Sequence, residues 1–108
     1  MANQKGSITA IFGNGGSTSD AQHFARELIC TYEDKKRKGI KALALNTNIS
    51  IVTAWSNDFS FDEIFSRQVE TLGDTIGICI GLSASGRSQN VIRGLEKAAS
   101  IGINCWQI

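Results

Sequence analysis

Two stretches of this 108-residue chain follow one plan, and that plan constrains the fold more than any other feature. "AIFGNGGSTSDAQ" (10–22) and "CIGLSASGRSQNV" (79–91) each run from apolar residues through a Gly/Ser-rich turn into a helical pattern. A strand handed by a tight turn to a helix is the opening of a βαβ unit. The remaining pattern agrees. "SITAIF" (7–12), "IKALAL" (40–45), "TIGICIGL" (75–82) and "INCWQI" (103–108) read as strands, the third apolar throughout as a strand covered on both faces is. Ala21, Phe24, Ala25, Leu28, Ile29 and Tyr32 fall at i, i+3, i+4 spacing, as does the stripe Val91, Leu95, Ala98, Ala99.

Helix boundaries are partly marked. Ser60 and Glu63 form an S-x-x-E box before "FDEIFSRQVETL" (61–72), and Gly102 is a stop signal after 89–100. Ser19 with Gln22 makes a second box, with Ser17 as a competing cap. "NTNISIVTAWSND" (46–58) is ambiguous and reads as a short helix leading into a loop. Strands alternating with helices predict a three-layer α/β/α domain on a parallel sheet with right-handed crossovers. In a flavodoxin-like order 2-1-3-4, strands 1 and 3 are neighbours at the switch point, and both Gly/Ser turns face one crevice. About four strands are present and the chain stops inside an element. The expectation is therefore one domain over 1–108 that is part of a larger one, or a unit completed by another chain.

Composition narrows the class. With 42% hydrophobic and 19% charged residues the chain is expected to be a soluble globular domain. A net charge of +1 gives no reason to expect nucleic acid or an anionic membrane as partner. The basic run "EDKKRKGIK" (33–41) reads as a solvated turn after a helix. Cys30, Cys79 and Cys105 are too widely spaced for a zinc knuckle or a disulfide framework, and Cys79 reads as a small core residue. "MANQKGS" lacks the apolar core of a signal peptide, so a cytoplasmic setting is expected. Trp55, Trp106 and the five phenylalanines show no stacking pattern and are assigned to core or interface.

The candidate chemistry lies at the turns. The first-turn N–H groups of a helix point outward with the positive end of its dipole, and phosphate binds there. The hydroxyls of Ser17, Ser83, Ser85 and Ser88 add donors, although Gly and Ser also simply make tight turns. Position 18 is threonine, which breaks G-x-G-x-x-G, and neither turn holds a P-loop lysine. A phosphorylated small molecule without adenine fits better than a dinucleotide or a nucleoside triphosphate. His23 and Glu27 stand i, i+4 on the helix face opposite Phe24 and Leu28. They read either as a surface pair or as two zinc donors. Asn57-Asp58 reads as an Asx turn or as a pair of hydroxyl-reading groups.

"GNGGSTSDAQHFAREL", "TAWSNDFSFDEIFSRQVETLG" and "GLSASGRSQNVIRGLEKA" together resemble the SIS (sugar isomerase) domain, in particular its bacterial phosphoheptose isomerases. The resemblance runs from about residue 8 to the C-terminus. It implies interconversion of sedoheptulose 7-phosphate and D-glycero-D-manno-heptose 7-phosphate by a zinc-containing homotetramer that supplies heptose for lipopolysaccharide. Carried over by motif, Asn14, Gly15, Gly16, Ser17, Asn57 and Asp58 would line the substrate. Ser83, Ala84, Ser85 and Ser88 would cradle its phosphate. His23 and Glu27 would bind metal, with Glu27 also contacting substrate and acting as base. Ala84 stands where the family usually has threonine, and Arg87 where it has asparagine. The family also has a helix before the first strand, and a later helix whose glutamine and histidine complete the metal site and supply the acid. This chain has one histidine, His23. A non-catalytic SIS module that binds a phosphosugar, or a protein partner as replication-initiator-associated members do, is the alternative. Such modules typically lack a glutamate at the position of Glu27.

Overall fold

The computed structural model describes residues 8–30, 39–83 and 87–108. Tyr32, the basic residues of 35–38, and Ala84, Ser85 and Gly86 of the second turn lie outside the described residues. Four parallel strands form one sheet in the order β2-β1-β3-β4, with β1 at Ile8–Gly13, β2 at Ala42–Ala44, β3 at Ile76–Leu82 and β4 at Asn104–Gln107. The helices are α1 (Gly16–Cys30), α2 (Ile49–Asp58), α3 (Ile64–Leu72) and α4 (Gln89–Ser100). Phe61–Glu63 and Gly73–Thr75 form 3₁₀ turns at the two ends of α3. This is the expected strand order.

Side chains alternate across a strand with period two, and the register shows what each face buries. Thr9 and Ile11 pair with Ala42 and Ala44 on one side and with Ile78 and Ile80 on the other. On that face Ile11, Ala44 and Leu82 pack against Ala21 and Ala25 of α1. The opposite face carries Ala10, Phe12 and Cys79, packed against Phe65 and Val69 of α3 and Val91 and Ala98 of α4. Phe12 and Phe65 meet with ring centroids 4.9 Å apart. Burying a side chain of this size removes enough apolar surface to contribute about 1.5–3 kcal/mol. Every residue of β1 except Ile8 is buried, so β1 is the strand about which both layers close.

The buried stripe of α4 differs from the one expected. Ala99 is exposed, while Asn90, Val91, Gly94 and Ala98 are buried. A Cβ on Gly94 would sit 2.8 Å from the Phe12 ring and 3.0 Å from Cβ of Phe65, so glycine lets α4 lie directly on the aromatic pair. The stripe is turned toward that glycine, and Ala99 rotates out. The start of α1 differs as well. It begins at Gly16, ahead of both serines considered as its cap. Backbone bonds close the turn instead, from Ser17 N to the Asn14 carbonyl (2.9 Å) and from Thr18 N to the Gly15 carbonyl (3.0 Å).

Within the ambiguous segment 46–58, Ile49–Asp58 is a helix, capped by the Asn48 side chain accepting from Ile51 N. Ser60 caps the 3₁₀ turn that follows by accepting from Asp62 N at 3.1 Å. Trp55 stacks on Phe59 with ring centroids 4.0 Å apart, and the Arg67 guanidinium lies 4.7 Å from the Trp55 ring. These aromatics are therefore paired, contrary to expectation. Trp55 and Phe59 stand i, i+4, so their stack is readable only once α2 is known to run as a helix to Asp58. Gly102 ends α4 in the left-handed region at φ +83°. No residue of α2 is buried, although half of the helix is apolar. On the α1 side of the sheet, Trp106 of β4 is 61% exposed.

Candidate functional site

In a parallel sheet the carboxyl ends of all strands lie along one border, and ligands bind where neighbouring crossovers diverge. Here that point is fixed by register: Gly13, the last residue of β1, pairs with Leu82, the last of β3. The two Gly/Ser turns therefore leave the sheet side by side. Gly13 is required for this approach. A Cβ there would stand 2.6 Å from the Leu82 carbonyl oxygen and 2.7 Å from Cβ of Ser17. Gly15 is required for a different reason. It has open space around it, but its φ of +57° lies in the left-handed region.

Two asparagines absent from the sequence-level expectations hold the first turn. Asn46, which follows β2, accepts from Gly13 N at 3.3 Å, and its amide nitrogen donates to the Gly13 carbonyl. Thr18 Oγ1 donates to the same carbonyl at 3.2 Å. Asn90, in the first turn of α4, makes a reciprocal amide pair with Asn14. Asn14 Nδ2 donates to Asn90 Oδ1 at 2.6 Å, and Asn90 Nδ2 donates to Asn14 Oδ1 at 3.1 Å. A sequence signal for Asn90 existed: it is a polar residue four positions before Gly94 and eight before Ala98, on the helix's buried stripe.

In the second turn Ser83 Oγ donates to Ser88 Oγ at 3.3 Å. Ser88 occupies the N-cap of α4 without a side-chain cap bond, while its carbonyl accepts from Ile92 N at 3.0 Å. The first-turn N–H groups of α4 thus keep the outward orientation that suits an anion. Ala84 and Ser85, also assigned to this turn, lie outside the described residues.

The other predicted residues form two local pairs. His23 Nε2 and Glu27 Oε1 are 3.2 Å apart on α1, with side chains 60% and 38% exposed. Arg26 Nη2 lies 2.8 Å from His23 Nδ1. A guanidinium can only donate, so Nδ1 accepts and the ring proton sits on Nε2, directed at Glu27. Asn57 Nδ2 donates to Asp58 Oδ1 at 3.4 Å in the last turn of α2, both residues exposed. That placement corrects the Asx-turn reading: the pair belongs to a helix end rather than a loop, because α2 runs on to Asp58. Among the described residues no group of three or more His, Cys, Asp or Glu side chains could hold a metal ion. Cys79 is no nucleophile at neutral pH. Burial, with the neighbouring Cys105 adding to it, pushes its thiol up to about 12.

Two Gly/Ser turns that start from paired ends of adjacent parallel strands have a counterpart among known families. The model for the SIS domain matches residues 1–106. The chain belongs to the SIS domain family. Its curated relatives include the phosphoheptose isomerase of Helicobacter pylori, 52% identical over 93 residues, which are 86% of this chain and 48% of the relative. That of Aquifex aeolicus is 50% identical over 97 residues, 90% of this chain and 50% of the relative. Among solved structures, the phosphoheptose isomerase of Neisseria gonorrhoeae matches with a TM-score of 0.79 at 39% identity. The Francisella tularensis enzyme matches with a TM-score of 0.85 at 30% identity. Each match covers 94% of this chain, and 51% and 52% of the respective structures. This SIS chain spans about half the length of the curated relatives it matches.

The two glycines of the first turn predict different costs. Gly15→Ala pays only for a left-handed residue and should lose about 1–2 kcal/mol of stability. Gly13→Ala must separate β1 from β3 and should lose more. Urea unfolding midpoints of the two variants test this, and a Gly13→Ala variant no less stable than Gly15→Ala contradicts it.

Proposed function

We propose that the crevice between the two turns takes the phosphate and sugar of sedoheptulose 7-phosphate, as part of an aldose–ketose isomerase forming D-glycero-D-manno-heptose 7-phosphate. The observation that carries this reading is the adjacency of the two turns, in a SIS chain similar to phosphoheptose isomerases along most of its length. In this reading Ser83, Ala84, Ser85 and Ser88 receive the phosphate with the N–H groups of the α4 N-terminus. Asn14, Gly15, Gly16 and Ser17 line the sugar from the other turn, and Asn57 and Asp58 bind its hydroxyls. Holding the phosphate at one end fixes the reacting carbons at the other.

The reaction moves a proton between adjacent carbons through an enediol, and a second proton between their oxygens. Glu27 is assigned the base that removes the first proton and returns it to the neighbouring carbon. Zinc would polarise the oxygens when bound, and His23 and Glu27 are donors of the right type for it. The set is nevertheless short. Two donors fall below the three protein ligands usual for catalytic zinc, and the sequence holds no second histidine. His23 is also held in the Nε2–H tautomer by Arg26, so capture of a metal at Nε2 requires Arg26 to release Nδ1. No step is assigned to the metal here. The same reading sets the chain in the cytoplasm, in the supply of heptose for lipopolysaccharide. No helix among the described residues is long and apolar enough to cross a membrane.

Binding and turnover should therefore separate. Sedoheptulose 7-phosphate should raise the melting temperature of the 108-residue chain by mass action, and Ser83→Ala with Ser88→Ala should abolish that rise. Turnover should be negligible, since the chain lacks a second histidine as acid and a positioned acid contributes roughly 10²–10⁴-fold. Equal thermal shifts for parent and double variant contradict the phosphate site. Brisk turnover that is lost in Glu27→Gln contradicts the incomplete acid–base set.

The chain is also proposed to form a homo-oligomer. In support, Ile49 is 73% and Phe59 66% exposed, on and just after a helix that buries none of its residues. Light scattering at micromolar concentration should give a multiple of 11.6 kDa. A monodisperse species at 11.6 kDa itself contradicts the proposal.

A further inference from the structure

The reciprocal amide pair joins the first turn to the start of α4 and spends a buried group on side-chain orientation. Asn90 is 1% exposed and lies on the buried stripe of α4, where an apolar residue would pack without needing a partner. Leaving one amide of such a pair unpaired costs more than replacing both. The backbone of the first turn does not depend on the pair. Gly13 is held by Asn46 and Thr18, and the turn is closed by Ser17 N and Thr18 N. What remains for Asn90 to fix is the direction of the Asn14 side chain.

A primary amide offers two N–H donors and two lone pairs. The pair spends one of each on both residues, leaving each with one N–H and one lone pair. Asn90 is out of solvent, so the edge that a ligand can reach belongs to Asn14, which is only part-buried. We propose that Asn90 is a positioning residue that acts through Asn14, fixing its amide so that the remaining N–H, on the edge turned away from Asn90, is presented to the oxygen of a sugar hydroxyl in the crevice. The free N–H and the free lone pair of Asn14 lie on opposite outer edges of the amide, so one hydroxyl meets one of them, and its oxygen can accept from the N–H. The inference rests on reading the crevice as a sugar-phosphate site.

The test uses the 108-residue chain with Asn14→Ala, Asn90→Ala and the double variant, with Asn90→Ser replacing Asn90→Ala if the latter does not fold. Affinities for sedoheptulose 7-phosphate and for inorganic phosphate are measured by calorimetry. Each single variant should bind the sugar phosphate about tenfold more weakly, and the double variant no more weakly than Asn14→Ala alone. Inorganic phosphate, which does not reach Asn14, should bind all four proteins within about twofold. Additive losses, or equal weakening toward inorganic phosphate, would show a merely structural role and overturn the inference. A second readout needs no ligand. The side-chain amide signals of Asn14 in asparagine-labelled protein should move toward free-asparagine values in Asn90→Ala. If the parent chain binds no sedoheptulose 7-phosphate, the reading of the crevice fails by itself. Unchanged Asn14 signals in the variant then overturn the positioning role.

Discussion

The contact between Gly13 and the Leu82 carbonyl decides the geometry of everything above the sheet. β1 and β3 end level with each other, and here a side chain at Gly13 would collide with the Leu82 carbonyl and with Ser17. The distance available to a Cβ at Gly13, 2.6 Å, leaves no room for any other residue. From that approach it follows that both Gly/Ser turns leave from one point. It also follows that the amide of Asn14 falls within reach of Asn90, 76 residues later.

The layers beneath serve this arrangement. Phe12, the residue before Gly13, is buried against Phe65 and beneath Gly94, so the end of β1 is anchored on the side away from α1. Asn46 closes on Gly13 from β2, and Asn90 closes on Asn14 from α4. The first turn is thus held from the segment after β2 and from the start of α4. A turn held this way presents its free groups with little ordering cost on binding, which is where a weak anion or hydroxyl contact gains affinity. The His23–Glu27 pair is different in kind. It is exposed, bonded within its own helix and to Arg26, and free of the buried scaffold. The first turn is fixed by buried partners, whereas the His23–Glu27 pair is held only by neighbours on its own helix.

Much of this was legible in the residues. Apolar runs such as "TIGICIGL" and the two Gly/Ser turns specify parallel strands and crossovers, because strand and helix periods differ and glycine marks the breaks. The i, i+4 spacing of His23 and Glu27 gave their contact directly, since neighbours on a helix need no tertiary information. The clamps were not legible. Asn46 and Asn90 act over 33 and 76 residues, and nothing local distinguishes them from solvated asparagines except the place of Asn90 on an apolar stripe. The rotation of α4 that exposes Ala99 depends on Gly94 meeting Phe12, a packing event between distant segments. The end of α2 was equally hidden, because "SND" suits a turn, whereas the helix runs on to Asp58 and is closed by the Phe59 and Ser60 N–H groups on the Trp55 carbonyl.

The central claim is that one ligand occupies both turns at once. A titration of the ¹⁵N-labelled chain with sedoheptulose 7-phosphate, followed through its backbone amide signals, tests it most directly. The account predicts that Gly15, Gly16 and Ser17 shift together with Ser83, Ser88 and Gln89, all fitting a single dissociation constant. Shifts confined to one turn, or two groups of residues titrating with different constants, would contradict it.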